Sequence, residues 1–570
     1  MPLNVIVVGA VALGPKVACR LKRLDPTAGV TIIDRDDLIS YGGCGIPYYV
    51  GGDVPELEQL YSTSSHAIRD EDFFNSCKGV KIISKTEVTA INRKDKTVSV
   101  RYLTSGDTEE LPYDKLVLAT GATPVVPPIP GVDLPGVTVV ADLHHAKRIK
   151  EMLAAGRIGS VVVVGGGAIG VEMAEAFTDL WGVETTLVEM MDQLLLPAFG
   201  RDMSVLIENH MREKGVQLLL SEGVTEILGD RENGVTGVKT TRSQIACDLV
   251  VLAIGVRANT HLAQTSGLAT GGFGGILVDQ CLRTSDPDIF AGGDCVELTH
   301  LISGRRVPMP LGSLANRQGR IIGTNIHGGC ALFKGTVGTF CLKVFERGIA
   351  RAGLTVRQAK EAGFDPVHSI VAQADRAHFY PTHELMYMKL IADRSSRRIL
   401  GIEAFGANGD AVKARVDAVA SLLAGGADID DISNLEVSYA PPLASAMDIV
   451  NNAANVLDNI VRGYNDPIDV DEFATLFAEG KVKVLDVRSK REAEPFQQKF
   501  AEKWLNIPQN ELSARLNELS GDDTFCLLCD TGPRSYEAQL LLRANGITRT
   551  RNIQGGYGML KNSNKDFIPV

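Results

Sequence analysis

The sequence predicts a multidomain α/β protein built on parallel sheets with helices on both faces. Its 570 residues are too many for one hydrophobic core and, at about 100 to 200 residues per domain, indicate about four domains. Glycine accounts for 58 residues, well above the roughly 7% of average proteins, which indicates Gly-rich loops. Several continuous runs of Val, Ile and Leu are typical of parallel strands that are buried on both faces.

The composition excludes several classes of protein. Lys and Arg number 58 against 69 Asp and Glu, a net charge of −11, so the chain lacks the broad basic surface of a nucleic-acid binder. No apolar run reaches the roughly 18 residues of a membrane span, and the N-terminal MPLNVIVVGAVALG lacks the basic start of a signal peptide. The 10 cysteines are too sparse for a disulfide scaffold. We therefore expect a cytoplasmic protein without a nucleic-acid or membrane partner.

One βαβ pattern occurs twice. Residues 5–14 read VIVVGAVALG and residues 161–170 read VVVVGGGAIG, and each is followed by a helical stretch and a strand that ends in an acid. A similar later strand closes each unit, at 115–124 and at 248–259. Two nucleotide-binding domains in tandem are the simplest interpretation.

The second copy carries a complete phosphate-binding turn, Gly165-x-Gly167-x-x-Gly170. Glycine lets the backbone turn tightly and approach a pyrophosphate, which the helix N-terminus then binds. Glu189 ends the next strand and is placed to accept hydrogen bonds from a ribose 2′-OH. Because no Arg follows it to hold a 2′-phosphate, NADH is favoured over NADPH. Gly255, after the closing strand, is assigned to the same site.

The first copy is weaker, since Val11 occupies the middle glycine position. Asp34 at the end of its second strand supports the same function. The residues expected to contact this nucleotide are Gly9, Val11, Gly14, Asp34, Ala119, Thr120 and Gly121.

A distant segment indicates which nucleotide the first copy binds. Residues 284–294, TSDPDIFAGGD, resemble the flavin-binding signature of the two-dinucleotide flavoprotein reductases, the pyridine nucleotide-disulfide oxidoreductases. The resemblance implies that Asp294 holds the ribityl chain of FAD and that the helix at 314–326 follows with its N-terminus facing the flavin. It also implies FAD in the first copy, NADH in the second, and an NAD domain inserted within the FAD domain.

A single cysteine lies where redox-disulfide members of that family carry two. Residues 38–50 read LISYGGCGIPYYV, with Tyr49 five positions after Cys44. The stretch resembles the single-cysteine branch, and its C-G-I-P-Y form is most similar to coenzyme A-disulfide reductases and NADH-dependent persulfide reductases. A cysteine at a helix N-terminus is expected to have a lowered pKa and to be largely thiolate.

The same resemblance implies further site residues. Tyr380 in HFYPTHE and Tyr439 in YAPPLAS would come from the partner subunit of a homodimer, and a phenol there could protonate a departing thiolate. Three residues, Arg20, Arg23 and Ser40, are candidates for binding coenzyme A, because guanidinium groups suit phosphates. Gly43 stands where the family usually has Asn, and Leu13, Pro15 and Lys16 alter the first turn, so coenzyme A as a ligand or substrate stays open.

The last hundred residues form a separate α/β unit. The segments KVLDVRSKREAE, FCLLCDTGPRSYEAQLLL and NIQGGYGML together resemble a rhodanese domain. Cys529 would hold sulfur in a loop of backbone N–H groups, and the helix dipole and Arg534 would stabilise its thiolate or persulfide. Cys526 lies in an apolar strand and is expected to pack, and no second pair of ligands completes a metal site.

These resemblances imply four domains. They are an FAD domain at 1–120 and 260–330, an NAD domain at 121–259, an α+β dimerisation domain at 331–460 and a rhodanese-like domain at 466–570. The implied activity is an FAD-dependent NADH:persulfide or disulfide reductase working through Cys44, coupled to sulfur transfer at Cys529.

Several alternatives stay open. The substrate could be CoA persulfide, glutathione persulfide, polysulfide or CoA disulfide, and sulfur could move to or from Cys529. A single-cysteine NADH oxidase or peroxidase would instead cycle Cys44 through sulfenic acid. A third reading is a sulfur carrier or sensor whose flavin half is inactive.

Overall fold

The computed structural model describes residues 2–563 and Phe567. Two compact units make up the chain: one contains residues up to 192 together with 214–336, and the other contains residues 193–213 together with 337 onwards. In the described residues, no helix combines the length and the apolar character needed to cross a membrane.

Residues 4–336 contain two parallel sheets and the helices that cover them. In chain order the elements are β1 (Asn4–Val8), α1 (Leu13–Leu24), β2 (Gly29–Ile33), α2 (Ile46–Gly51), α3 (Glu71–Phe73), β3 (Lys81–Ile83), β4 (Thr86–Asn92), β5 (Thr97–Tyr102), β6 (Thr108–Pro112), β7 (Lys115–Leu118), β8 (Ala122–Pro124), β9 (Val137–Val139), α4 (Leu143–Ala154), β10 (Ser160–Val164), α5 (Ala168–Thr178), β11 (Glu184–Glu189), α6 (Arg201–Glu213), β12 (Gln217–Leu220), β13 (Val224–Asp230), β14 (Gly234–Thr240), β15 (Gln244–Ala246), β16 (Leu249–Leu252), β17 (Val256–Ala258), α7 (His261–Thr265), β18 (Ile276–Leu277), β19 (Ile289–Ala291), β20 (Val296–Thr299), β21 (Arg306–Pro308) and α8 (Gly312–Ile326).

The two sheets confirm the tandem arrangement. The first has the order β19–β7–β1–β2–β3 and the second the order β12–β11–β10–β16–β9, with every pair parallel. Because β7 and β19 of the first sheet flank the whole second sheet in sequence, the second domain is inserted into the first, as the resemblance implies. The side chains of β1 from Val5 to Val8 are buried, which explains its unbroken apolar run.

Strand register brings the expected site residues to one edge of each sheet. Val8 pairs with Ile33 and with Leu118, so Gly9, Asp34 and Ala119 follow the ends of three neighbouring strands. The carboxyl ends of parallel strands form a common edge, and ligands of such sheets bind there. In the second sheet Val164 pairs with Val188 and Leu252, which places the Gly165 turn beside Glu189 in the same way.

The second unit contains an antiparallel sheet, a parallel sheet and the helix α6. Its further elements are β22 (Phe340–Val344), β23 (Arg347–Gly353), α9 (Val356–Glu361), β24 (Pro366–Ala374), β25 (Leu385–Asp393), β26 (Ile399–Gly406), α10 (Gly409–Leu423), α11 (Ile429–Ser433), α12 (Ile449–Val461), β27 (Pro467–Ile468), α13 (Val470–Ala478), β28 (Lys483–Asp486), α14 (Lys490–Phe500), β29 (Trp504–Asn506), α15 (Gln509–Leu512), β30 (Phe525–Leu528), α16 (Pro533–Ala544), β31 (Thr550–Ile553) and α17 (Gly556–Ser563). The antiparallel sheet has the order β22–β23–β26–β25–β24, and the C-terminal parallel sheet has the order β27–β31–β30–β28–β29.

Candidate active site

The first glycine turn is built from close backbone contacts. A Cβ atom on Gly9 would lie 2.2 Å from the carbonyl oxygen of Ala119, and one on Gly14 would lie 2.0 Å from that of Gly9. Only glycine fits at either position. Asp34 accepts a hydrogen bond from the Ala10 amide at 2.6 Å, and its burial raises the pKa of its carboxyl group. Val11 is half-buried in the turn.

The second glycine turn has the same construction. A Cβ atom on Gly170 would lie 1.9 Å from the Gly165 carbonyl oxygen, and Gly167 is the N-cap of α5. The Glu189 carboxylate accepts hydrogen bonds from the Gly166 amide at 2.6 Å and from the Met191 amide at 2.7 Å. Both turns therefore fit a dinucleotide pyrophosphate at a helix N-terminus with an acid beside it.

Residues after the closing strands connect the two domains within this unit. The Thr120 hydroxyl donates to the Asn259 carbonyl at 2.6 Å, and the Asn259 side chain donates back to the Thr120 carbonyl at 2.9 Å. Gly121 and Gly255 both adopt positive φ, at 65° and 112°. The predicted Gly121 and Gly255 positions thus lie where the chain passes between the domains.

Asp294 lies at the start of a short turn after β19, half-buried, and burial raises its pKa. The neighbouring Gly293 amide donates to the side-chain oxygen of Gln318 at 2.6 Å. Gln318 is fully buried on α8, so it fixes this turn against the helix.

Cys44 lies in a 3-10 turn that leads into α2, with its sulfur facing the N-terminus of α8. A Cβ atom on Gly312 would lie 3.6 Å from Sγ, and the Gly312 amide lowers the pKa of the thiol. Partial burial of the sulfur raises this pKa more strongly, and the carboxylates of Glu172 and Asp294 raise it further. The sequence predicted a lowered pKa for the Cys44 thiol, and this prediction is wrong. Burial and the two nearby carboxylates raise the pKa more than the helix N-terminus lowers it.

Basic side chains of α1 and α8 share one cavity of about 240 Å³. The helices approach closely because a Cβ atom on Gly319 would lie 2.8 Å from Cβ of Lys16, and one on Gly323 would lie 2.8 Å from the Val17 carbonyl oxygen. The residues that line the cavity are Lys16, Arg20, Arg23, Asn316, Arg317 and Arg320. The five cations around one small cavity favour the binding of an anion. The sequence identified two of them, Arg20 and Arg23.

Ser40, the third candidate for substrate binding, is buried and has a positive φ of 52°. Its amide donates to the Ala10 carbonyl at 2.8 Å, which ties the loop before Cys44 to the first glycine turn.

Tyr380 and Tyr439 lie in the second unit, on two segments that contact each other. Tyr439 is 49% exposed, and the Ala377 amide donates to the Pro441 carbonyl at 3.2 Å. Buried Arg415 holds both segments, because it donates to the Asp375 carbonyl at 3.0 Å and to the Leu443 carbonyl at 3.4 Å.

Cys529 lies at the end of β30, 1% exposed, with two donors directed at its sulfur. The Gly532 amide is 3.1 Å from Sγ and the Ser535 hydroxyl is 3.3 Å from it. Arg534 pairs with the Asp530 carboxylate. Of the several backbone N–H groups expected from the sequence, that of Gly532 donates to the sulfur, and the Ser535 hydroxyl is an additional donor. Cys526 is fully buried in β30, as expected.

A family model described as pyridine nucleotide-disulphide oxidoreductase matches residues 3–319, more than half of the chain. The chain belongs to this family. A model of the dimerisation domain of the pyridine nucleotide-disulphide oxidoreductases matches residues 340–450, and a rhodanese-like domain matches residues 469–562. The resemblance stated from the motifs is thereby confirmed.

Two solved structures within the family cover nearly the whole chain, and a curated relative covers most of it. The structure of an NAD-dependent persulfide reductase from A. fulgidus is 39% identical, covers 98% of this chain and 100% of its own, and has a TM-score of 0.92. The reduced CoADR-RHD of Bacillus anthracis is 32% identical, covers 100% of both chains and has a TM-score of 0.91. A CoA-dependent NAD(P)H sulfur oxidoreductase of Pyrococcus abyssi is 34% identical over 80% of this chain and 98% of its own length.

Two groups of residues were missed by the sequence analysis of this family member. The cations of α8, Arg317 and Arg320, lie three positions apart in LANRQGRIIG, a spacing that places them on one helix face. The other group is the pair Glu172 and Tyr48, whose side chains approach to 3.4 Å. The sequence feature that could have indicated this pair is Glu172 itself, an acid two positions after Gly170 in a largely apolar helix.

Proposed function

We propose that the protein is an FAD-dependent NADH:persulfide or disulfide oxidoreductase that works through Cys44 and is coupled to sulfur transfer at Cys529. The observation that carries this proposal is the position of Cys44. Its thiol faces the N-terminus of α8, in the same unit as both glycine turns and the Asp294 turn. A single thiol can react with a sulfur-containing substrate or cycle through sulfenic acid, and the rhodanese-like domain in the same chain favours the sulfur-containing substrate.

The first glycine turn, Asp34 and Asp294 are the residues that would hold FAD, and they fit it. The contacts at Gly9 and Gly14 admit no side chain, and the Asp34 carboxylate stands at the strand end where a ribose hydroxyl is bound. When bound there, FAD would supply the two-electron chemistry that connects NADH to sulfur. Gly165, Gly167, Gly170 and Glu189 orient the nicotinamide nucleotide.

Cys44 carries the sulfur chemistry. Its thiolate attacks a persulfide or disulfide, the S–S bond of the substrate breaks, and one of the two sulfur fragments remains attached to Sγ. Two electrons from NADH then break this new S–S bond and regenerate the thiol. For a persulfide, NADH, one proton and R–S–SH give NAD⁺, R–SH and H₂S. The phenols of Tyr380 and Tyr439 of a partner subunit would supply protons to departing thiolates.

Coenzyme A is the substrate carrier that the basic cavity favours. Its phosphates match the five cations contributed by α1 and α8, and Arg side chains bind phosphate oxygens with paired donors. The Pyrococcus abyssi relative is named as CoA-dependent. We therefore propose CoA persulfide or CoA disulfide as the preferred substrate, with Arg20, Arg23 and Ser40 among the binding residues.

A homodimer is supported by exposed apolar side chains near the two tyrosines. Phe379 is 67% exposed and Leu443 is 73% exposed. A second copy would cover them, in keeping with the matched dimerisation domain. A cytoplasmic location is supported by the ten cysteines, which all fall within the described residues and are all free thiols.

We also propose the domain limits given by the sequence. The first parallel sheet draws its strands from 1–120 and 260–330, and the second from 121–259. The antiparallel sheet falls within 331–460 and the C-terminal parallel sheet within 466–570.

Cys529 is proposed to carry sulfane sulfur. With thiosulfate as the donor, its thiolate takes the outer sulfur, the S–S bond of thiosulfate breaks, and sulfite leaves. The Gly532 and Ser535 donors stabilise the negative charge that the terminal sulfur of the resulting persulfide retains.

The test is anaerobic NADH oxidation with CoA persulfide, glutathione persulfide, polysulfide and CoA disulfide, with sulfide and thiol measured. A Cys44→Ser variant should keep its flavin, bleach with NADH and turn over none of the four substrates. Unchanged turnover by this variant would remove Cys44 from the mechanism. NADH oxidation that requires oxygen and ignores all four substrates would instead identify an oxidase.

A further inference from the structure

The segment 554–558 packs backbone to backbone against the loop that carries Cys529. The Tyr557 amide donates to the Cys529 carbonyl at 2.7 Å, and the Gly558 amide donates to the Asp530 carbonyl at 2.9 Å. Gly556 has a φ of 60°, and a Cβ atom there would lie 2.6 Å from the Cys529 carbonyl oxygen. The path of this segment therefore shapes the sulfur-transfer loop.

The opposite side of the same segment is bound to the antiparallel sheet of the dimerisation domain. The buried side chain of Gln554 accepts from the Ile370 amide of β24 at 2.8 Å and donates to the Asp469 carboxylate at 2.8 Å. Asp469 also contacts His368 of β24 at 3.1 Å. The amide oxygen of Gln554 thus bonds directly to the dimerisation domain, and its amide nitrogen is connected to that domain through Asp469 and His368.

Tyr387 of β25 makes a second connection. Its hydroxyl donates to the Gly558 carbonyl at 3.2 Å and accepts from the Asn562 side chain at 2.7 Å. The Tyr387 side chain is 4% exposed, so these partners replace water. Gly558 therefore links the two domains: its carbonyl accepts from Tyr387, and its amide donates to Asp530 next to Cys529.

We propose that Tyr387 and Gln554 are positioning residues for sulfur transfer, through which the dimerisation sheet fixes the loop around Cys529. The proposal rests on the proposed role of Cys529. The Gly532 and Ser535 donors reach Sγ only in the observed conformation of the loop. The backbone hydrogen bonds from the 554–558 segment stabilise that conformation. A domain with a rhodanese-like fold thereby depends on a neighbouring domain for its active-site geometry.

The experiment uses the full-length holoenzyme with Tyr387→Phe, which keeps the ring in the core and removes only the hydroxyl. We expect kcat for thiosulfate-to-cyanide sulfur transfer to fall about fivefold, the effect of losing roughly one buried hydrogen bond, with KM for thiosulfate unchanged. Backbone hydrogen exchange in the 529–535 peptide should become faster. Bleaching of the flavin by NADH should not change, which shows that the fold of the other unit is intact.

Tyr464→Phe is the matched control, because Tyr464 is 54% exposed in the linker before β27. This substitution should leave sulfur transfer, hydrogen exchange and flavin bleaching unchanged. Wild-type sulfur transfer together with wild-type exchange in Tyr387→Phe would overturn the proposal. Faster exchange in a protein whose wild type transfers no sulfur would support the positioning role while refuting the proposed role of Cys529. Equal losses in Tyr387→Phe and Tyr464→Phe would also overturn it.

Discussion

The hydroxyl of Tyr48 lies 3.4 Å from a carboxylate oxygen of Glu172. The helices that carry them, α2 and α5, approach closely because Gly51 has no side chain. A Cβ atom there would lie 3.2 Å from Cα of Ala176. Burial between them raises the pKa of Glu172 to about 7. The charge of Glu172 in turn raises the pKa of Cys44. The ionisation of one carboxyl group in the neutral pH range therefore opposes thiolate formation at Cys44, the proposed redox cysteine.

Glu172→Gln should make Cys44 more reactive above neutral pH. The substitution removes a charge that raises the thiol pKa, so a larger fraction of Cys44 is thiolate at any pH below that pKa. We expect alkylation by iodoacetamide about threefold faster than in the wild type at about pH 8. At about pH 6 the wild-type Glu172 is largely protonated and neutral, so the two rates should converge. The measurement is mass spectrometry of the Cys44 peptide.

The control for this experiment is Glu184→Gln, which removes an exposed carboxylate from β11 of the same domain. Its alkylation profile should match that of the wild type. Identical profiles for Glu172→Gln and the wild type across the whole pH range would show that Glu172 does not govern the thiol.

NADH should be preferred over NADPH. The Glu189 carboxylate is fixed by the Gly166 and Met191 amides, so it would stay beside a 2′-phosphate and repel it. A difference of about 1.4 kcal/mol in binding gives a tenfold preference. The measurement compares kcat/KM for NADH and NADPH in flavin reduction. The Glu189→Ser substitution should reduce the preference for NADH. Equal or reversed values in the wild type would refute the assignment of Glu189.

The parallel sheets and glycine turns could be predicted from the sequence because the constraints are local. Strands buried on both faces need unbroken apolar runs, as β1 and β10 have. A helix that starts against a strand end leaves no room for a side chain, so Gly14 and Gly170 are required. Cys44 and Cys529 could be proposed from the sequence because each lies in a short motif between a strand and a helix.

The missed features depend on contacts between distant segments. Arg320 meets Arg20 only because Gly319 and Gly323 let α8 approach α1. The raised pKa of Cys44 depends on Glu172, which lies 128 positions away in sequence (172 minus 44). Nothing in the spacing of residues 554–558 shows that Tyr387 binds them.

The Arg320→Ala substitution should weaken the binding of substrates that contain coenzyme A. The loss of one charged phosphate donor costs about 1.5 kcal/mol, so KM for CoA persulfide should rise about tenfold. KM for glutathione persulfide, which has no phosphate, should stay unchanged. Steady-state NADH oxidation with the two substrates checks this, and higher salt should raise the wild-type KM for CoA persulfide alone.

Lys94→Ala provides the control for loss of a surface cation, since Lys94 is exposed on the β4–β5 hairpin. It should leave both KM values at wild-type levels. An equal rise for both persulfides in Arg320→Ala would mean that the cavity of α1 and α8 does not select coenzyme A.

Cys529→Ala should abolish sulfur transfer from thiosulfate and keep NADH-dependent reduction of a small persulfide that is supplied directly. Cys44, the glycine turns and Asp294 lie in one compact unit, whereas Cys529 lies in the other. The first unit contains the thiol and both nucleotide turns, and Tyr380 and Tyr439 belong to the dimerisation domain rather than to the sulfur-transfer loop. A diffusible persulfide therefore meets every group needed for its reduction without Cys529. The assay compares both activities in the same preparation, with NADH bleaching of the flavin as the control for folding. Loss of small-persulfide reduction at saturating substrate, in a variant whose flavin still bleaches, would place Cys529 within the reductive half of the cycle.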